Sequence, residues 1–155
     1  EKDARANQTK LAKKHLELAK KTNLPVILHI REAFDPFFEV IKNFPNIQGV
    51  VHSFSDIPDK LTQIFNLPND FFIGLNGIMT FSKVPAQLDS ARLIPLDKLV
   101  LETDSPYLTP APERGKINTI KNTMRIAEFL SELRGEELEH FCNITTANSE
   151  RLFSI

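Results

Sequence analysis

Three polar side chains follow apolar runs of the sequence, at positions where active-site groups are often found. His29 closes the run VIL, His52 closes GVV, and Asp104 comes three residues after LVL. Two imidazoles and a carboxylate are suitable ligands for zinc, and manganese or magnesium becomes suitable as carboxylates are added. A bound divalent ion lowers the pKa of its water toward about 7. We assign Asp104 to ligating such an ion and to accepting the proton of that water.

Polar residues beside these three are candidates for supporting roles. Alternation along an extended chain places Glu102 on the same side as Asp104, as a second ligand or a brace for one. Arg31, Ser53 and Ser105 lie within two residues of the three candidates, and we assign them to bracing or substrate contact. Taken singly, a strand-end histidine is more often a hydrogen-bonded core or rim residue, and an aspartate more often caps a helix. The case for a metal site therefore depends on His29, His52 and Asp104 occupying equivalent positions at the ends of predicted strands.

Apolar periodicity predicts strands that alternate with helices. It predicts strands at 26–30, 47–54, 71–77 and 96–102, and helices at 7–22, 34–41, 58–65, 85–92, 119–133 and, as one or two helices, 136–153. This alternation is typical of the α/β class with a parallel sheet covered on both faces. The carboxyl ends of parallel strands share one edge of a sheet or barrel, so we expect the candidate residues to converge there.

Composition narrows the class of protein. The chain has 155 residues, of which 41% are hydrophobic and 25% charged, as in an ordinary globular domain. Its longest apolar runs are far shorter than the roughly 20 residues that cross a bilayer, so we expect no membrane partner. A net charge of −1 weighs against a large basic nucleic-acid surface, though not against a metal site that handles phosphate. Cys142 is the only cysteine, which suits a reducing compartment.

Five stretches, in order along the chain, match the motifs of one family. They are LPVILHIREA (24–33), GVVHSFS (49–55), PLDKLVLETDSPYLTP (95–110), RGKIN (114–118) and ITTANSERLF (144–153). Together they resemble the TatD-type metal-dependent deoxyribonucleases. The resemblance implies a (β/α)8 barrel, hydrolysis of DNA with divalent metal ions, two ions in the complete barrel, and a cytoplasmic location. It also implies that His29, His52 and Asp104 are metal-site residues, with Asp104 positioning or deprotonating the attacking water.

Two family motifs, a His-x-His strand and a GEIGLD-like strand, do not occur in this sequence. We therefore expect residues 1–155 to form the C-terminal half of the barrel, about four strand–helix units. Four strands cannot close, so the strands at Val26 and Leu99 should be open edges beside an exposed inner face. The missing half would come from the same protein, from another chain, or from self-association of two half-barrels. Alone, the chain should be weakly active or inactive.

Other functions fit the same pattern. Since this fold hosts many substrates, the chain is alternatively a hydrolase of another small phosphoester or of an amide. A third reading is an inactive half-barrel that serves as an interaction module. Such a module would form a stable complex with another chain and would show no metal dependence.

Overall fold

The computed structural model describes residues 2–155, with side chains from Asp3 onward, and its elements alternate as predicted. The strands are β1 (Val26–His29), β2 (Gln48–His52), β3 (Asp70–Leu75) and β4 (Leu99–Leu101). The α-helices are α1 (Lys2–Thr22), α2 (Phe34–Ile41), α3 (Pro58–Phe65), α4 (Pro85–Leu93), α5 (Thr123–Arg134) and α6 (Leu138–Phe153). Short 3-10 helices cover Gly77–Phe81, Leu96–Lys98 and Ile120–Asn122. Within these residues, no helix combines the length and the apolar character needed to span a membrane.

The four strands form one parallel sheet in the order β1-β2-β3-β4, which confirms the α/β class. The register aligns His29 with His52, and Gly74 with Val100. Because side chains alternate between faces, these residues share one face, which we call the inner face. Its members are Ile27, His29, Val50, His52, Phe72, Gly74 and Val100.

The opposite face of the sheet carries the main hydrophobic core. Ile73, Leu75 and Leu99 pack there with side chains of the helices, among them Ile126 and Phe141. Each fully buried side chain of this size contributes about 1.5–3 kcal/mol relative to an exposed one. This packing fixes the strands, and with them the residues at their carboxyl ends.

Local signals in the sequence set where the helices begin and end. Pro58 and Pro85 stand in the first turns of α3 and α4, where the missing N–H costs no helical hydrogen bond. Gly135 ends α5 with a φ of 68°, a left-handed conformation that favours glycine. These signals fix where α3 and α4 begin and where α5 gives way to α6.

The inner face is more covered than the sequence predicts. Val50, Phe72 and Val100 are buried, and they pack with Leu152 near the end of α6. The expectation of an exposed inner face is therefore wrong for β2, β3 and β4. It is right for β1, where Ile27 is 65% exposed.

The edge of β4 is also partly covered. Asn148 of α6 donates hydrogen bonds from its Nδ2 atom to the carbonyls of Leu96 and Leu99, at 2.7 and 2.8 Å. The prediction of an open edge at Leu99 is thus wrong in part, because a helix side chain occupies a carbonyl that another strand would need. In the described chain β1 pairs with β2 alone.

Candidate metal centre

The carboxyl edge of the sheet brings four of the predicted site residues together. His52 Nδ1 lies 2.9 Å from Glu102 Oε2, and His52 Nε2 lies 3.5 Å from Asp104 Oδ2. The rings of His29 and His52 stand beside each other, with centroids 5.6 Å apart. Residues from β1, β2 and the end of β4 therefore meet at one place, although 75 residues separate His29 from Asp104 in the sequence.

The imidazole of His52 lies between two acids. These contacts raise the pKa of His52 above its usual value, chiefly through the hydrogen bond to Glu102. Partial burial opposes the rise, while the negative charges of Glu102 and Asp104 add to it. Because Glu102 accepts a hydrogen bond from Nδ1, the ring is fixed with Nε2 facing Asp104. A carboxylate bonded to the second ring nitrogen is a usual partner of a metal-ligating histidine.

Glu102 is a bracing residue in this arrangement. Its Oε1 accepts a hydrogen bond from the backbone N–H of Ser53, while its Oε2 faces His52. Gly74 leaves room for the carboxylate, since a Cβ atom at that position would lie 2.3 Å from Glu102 Oε2. Ser53 adopts a φ of 54°, which is uncommon for a residue other than glycine and directs its N–H toward Glu102.

Asn76 orients the aspartate and is the residue that the site prediction omitted. Its Nδ2 donates to Asp104 Oδ1 at 2.6 Å and to Ser53 Oγ at 2.7 Å, while its Oδ1 accepts from the Ile78 N–H. The side chain is almost fully buried. The available signal was its place at the end of β3, equivalent to the places of the two histidines on β1 and β2.

The remaining predicted residues lie nearer the surface. Arg31 is exposed and lines a cavity beside β1. Ser105 is exposed, and its hydroxyl donates to Thr103 Oγ1 at 3.0 Å. Ser53, by contrast, joins the cluster through its hydrogen bonds with Glu102 and Asn76.

The side chains of the candidate metal centre match part of a metal coordination shell. Two ligands that each lie 2.0–2.2 Å from a tetrahedral zinc ion are about 3.4 Å from each other. The 3.5 Å between His52 Nε2 and Asp104 Oδ2 matches that spacing. Over residues 2–155, however, no group of three or more His, Cys, Asp or Glu side chains is arranged to hold an ion. The chain therefore offers two side chains at the spacing of adjacent metal ligands, with His29 beside them.

Comparison with known proteins identifies the family. Residues 1–154 match the family described as "TatD related DNase". The chain belongs to this family. The uncharacterized metal-dependent hydrolase YcfH of Escherichia coli K12 is 36% identical over 143 residues, covering 91% of this chain and 53% of YcfH. The uncharacterized metal-dependent hydrolase YabD of Bacillus subtilis is 32% identical over 150 residues, covering 96% of this chain and 58% of YabD. The chain thus spans about half the length of the curated relatives it matches.

The fold agrees with the TatD assignment. The crystal structure of YjjV, a TatD homologue from Escherichia coli, superposes with a TM-score of 0.81 at 32% identity, covering 90% of this chain and 54% of that one. An uncharacterized amidohydrolase of Saccharomyces cerevisiae, 20% identical, superposes equally well and shows the fold alone. The resemblance read from the five motifs is confirmed.

Proposed function

We propose that the protein carrying these residues is a metal-dependent hydrolase that cleaves phosphodiester bonds of DNA. The observation that carries the proposal is His52 held between Glu102 and Asp104 at the carboxyl edge of the sheet. The TatD related DNase family match supports DNA as the substrate. The curated relatives named as metal-dependent hydrolases support a requirement for metal.

His29, His52 and Asp104 would hold a divalent ion, and two ions would bind in a complete barrel. Imidazole and carboxylate donors suit zinc, manganese or magnesium. A bound ion of this kind supplies a water molecule of lowered pKa and stabilises negative charge on a phosphate.

Glu102 and Asn76 would orient these side chains, and Asp104 would receive the proton. Glu102 accepts from His52 Nδ1 and so keeps Nε2 directed toward Asp104. Asn76 donates to Asp104 Oδ1 and so holds the carboxylate with Oδ2 toward His52 Nε2, where Asp104 would ligate the ion and accept the proton of the attacking water. General-base assistance of this kind contributes about 10²–10⁴-fold in rate.

We further propose that residues 1–155 are the last four strand–helix units of a barrel whose other strands pair with β1. Three features support this: the coverage of about half of each relative, the exposure of Ile27, and a cavity of about 1200 Å³ between β1, α1 and α2. Those strands would belong to the same protein, another chain or a second copy. A cytoplasmic location is proposed from the TatD-type resemblance, and the single cysteine within residues 1–155 suits a reducing compartment.

The test is cleavage of single-stranded DNA by the full-length protein with manganese or magnesium, and again with a chelator. Cleavage is expected only with metal, and Asp104→Asn and His52→Ala should each lower it by about 10²-fold or more. His140→Ala is the matched control, since His140 is an exposed histidine on α6. DNA left intact by the parent protein, or full activity in Asp104→Asn, would contradict the proposal. Metal-dependent cleavage of a small phosphodiester without cleavage of DNA would retain the hydrolase and reject DNA as substrate.

A further inference from the structure

The segment that follows Asp104 concentrates positive charge on a chain that is slightly acidic. Residues 105–125 contain four basic side chains and one acidic one, so their net charge is +3, against −1 for the whole chain. The basic residues are Arg114, Lys116, Lys121 and Arg125, and the acid is Glu113. Glu113 lies within 4 Å of Lys116 and Arg125, which leaves a net excess of positive charge. This segment suits an anionic ligand beside the candidate metal centre.

The same segment exposes large apolar side chains. Tyr107 is 73% exposed, Ile117 79% and Ile120 78%. The backbone N–H of Asn118 donates to the Pro106 carbonyl at 2.9 Å, so the stretch holding Ile117 runs beside the stretch holding Tyr107. Exposed apolar groups clustered among basic residues indicate a ligand contact surface rather than scattered surface residues.

The backbone under the Tyr107 ring is firmly held. Its N–H donates to the Asp104 carbonyl at 2.8 Å, and its carbonyl accepts from Asn118 Nδ2 at 2.7 Å. The Asn118 side chain is almost fully buried. Leu108 adopts a φ of 54°, and its carbonyl approaches Gly77 so closely that a Cβ there would lie 2.3 Å away. The ring therefore projects into solvent from a fixed backbone, which lowers the entropy lost when it binds a ligand.

The side chain of Arg114 is held in place by contact with an aromatic ring. Its guanidinium lies 3.4 Å from the centroid of the Phe81 ring. Phe81 ends the 3-10 helix that begins directly after Asn76 of the candidate metal centre. The positive charge of Arg114 is therefore held against the 3-10 helix that follows Asn76.

We propose that Tyr107 stacks on a base of single-stranded DNA at the mouth of the metal centre, while Arg114 binds a phosphate of the same strand. The inference rests on the proposed function for its substrate class. Exposed aromatic rings along a basic groove are the usual means of holding single strands without sequence preference. The backbone N–H of Tyr107 bonds to the Asp104 carbonyl, so a strand bound at Tyr107 would lie beside a residue that would act on it.

Binding is measured apart from cleavage, by fluorescence anisotropy of a labelled oligothymidylate with the full-length protein in chelator. Tyr107→Leu keeps an apolar side chain but removes the ring, and it should weaken binding about tenfold. Tyr107→Phe keeps the ring and should bind within about twofold of the parent. Phe153→Leu makes a matched aromatic-to-leucine change at an exposed position on α6 and should leave affinity unchanged. Arg114→Gln should weaken binding and make it less dependent on salt.

Photocrosslinking locates the contact directly. An oligothymidylate that carries 5-iododeoxyuridine should form its adduct on Tyr107 in the parent protein and lose it in Tyr107→Leu. The proposal is overturned if the adduct maps elsewhere, or if Tyr107→Leu lowers thermal stability while affinity stays that of the parent. In the second case, the ring packs against another part of the protein. If the parent protein binds DNA through Tyr107 but shows no metal-dependent cleavage, the nuclease function is rejected and the stacking role of Tyr107 stands. If the parent cleaves DNA and Tyr107→Leu binds with unchanged affinity, the stacking role is rejected and the nuclease function stands.

Discussion

Glu102 is the residue on which the geometry of the candidate metal centre depends most. One carboxylate accepts hydrogen bonds from the His52 ring and from the Ser53 backbone, and Gly74 provides the space that it occupies. Such partners of a ligating histidine fix the ring and raise its basicity. Removing the charge at Glu102 should therefore weaken metal binding without removing any ligand.

We expect Glu102→Gln to lower the affinity for manganese or zinc by about 10–100-fold, measured by isothermal titration calorimetry. Glu39→Gln is the control, because Glu39 is an exposed carboxylate on α2 that pairs with Lys42, the residue after the helix. Equal metal affinity in Glu102→Gln and the parent would show that His52 does not depend on this brace.

The sequence predicts the residues at strand ends but not the bonds between them. His29, His52, Glu102 and Asp104 were found because apolar runs stop at them. Asn76 was not assigned to the site, since its role depends on a hydrogen bond to Asp104 across two strands, 28 residues away. Periodicity shows which face a side chain is on, whereas a hydrogen bond also requires the register between strands.

At the scale of elements, α6 begins with a capping interaction that has a defined pH dependence. The carboxylate of Glu137 accepts from the backbone N–H groups of Glu139 and His140, at 2.8 and 2.7 Å. These hydrogen bonds, that of Glu139 first, lower the pKa of Glu137 below its usual 4.5. A lowered carboxyl pKa stabilises the folded state above the unfolded pKa, and this stabilisation is lost as pH falls through the folded value.

Glu137→Ala should therefore lower the melting temperature at pH 7, where the parent carboxylate is fully charged. The difference between variant and parent should shrink as the pH is lowered below 4.5 toward the depressed pKa of Glu137. Thermal unfolding followed by circular dichroism at several pH values measures this. Glu128→Ala, an exposed position within α5, should show a smaller and less pH-dependent change. A constant difference across pH would contradict a charge-dependent cap.

Element types were predicted more accurately than element boundaries. The strand predicted over 96–102 is reduced to Leu99–Leu101, because residues 96–98 form a 3-10 turn in which the Lys98 N–H bonds to the Pro95 carbonyl. Apolar character marks this stretch as buried without distinguishing a tight turn from an extended strand. The longer apolar periodicities of α1, α5 and α6 indicate helices, but residues 120–122 of the predicted helix 119–133 form a 3-10 turn, and only the structure shows that 136–153 holds one helix.

At the scale of the whole molecule, the two ends of the sheet differ. Near β4, Asn148 and Leu152 of α6 cover part of the edge and the inner face. Near β1, Ile27 is 65% exposed and Leu24 63%, beside the cavity between β1, α1 and α2. The sequence predicted two open ends from strand count alone; it could not show that the last helix turns back over one of them.

The exposed β1 end predicts how the 155-residue chain behaves in solution. An edge strand with an exposed isoleucine favours pairing with another chain, and a lysine on such a strand opposes it. We expect concentration-dependent association in sedimentation velocity, and we expect Ile27→Lys to shift the chain toward monomer without unfolding it. Leu93→Lys, at a comparably exposed leucine that ends α4, should associate like the parent. A chain that is monomeric at all concentrations would show that the β1 end does not drive association, and equal association in both variants would place the contact between chains away from β1.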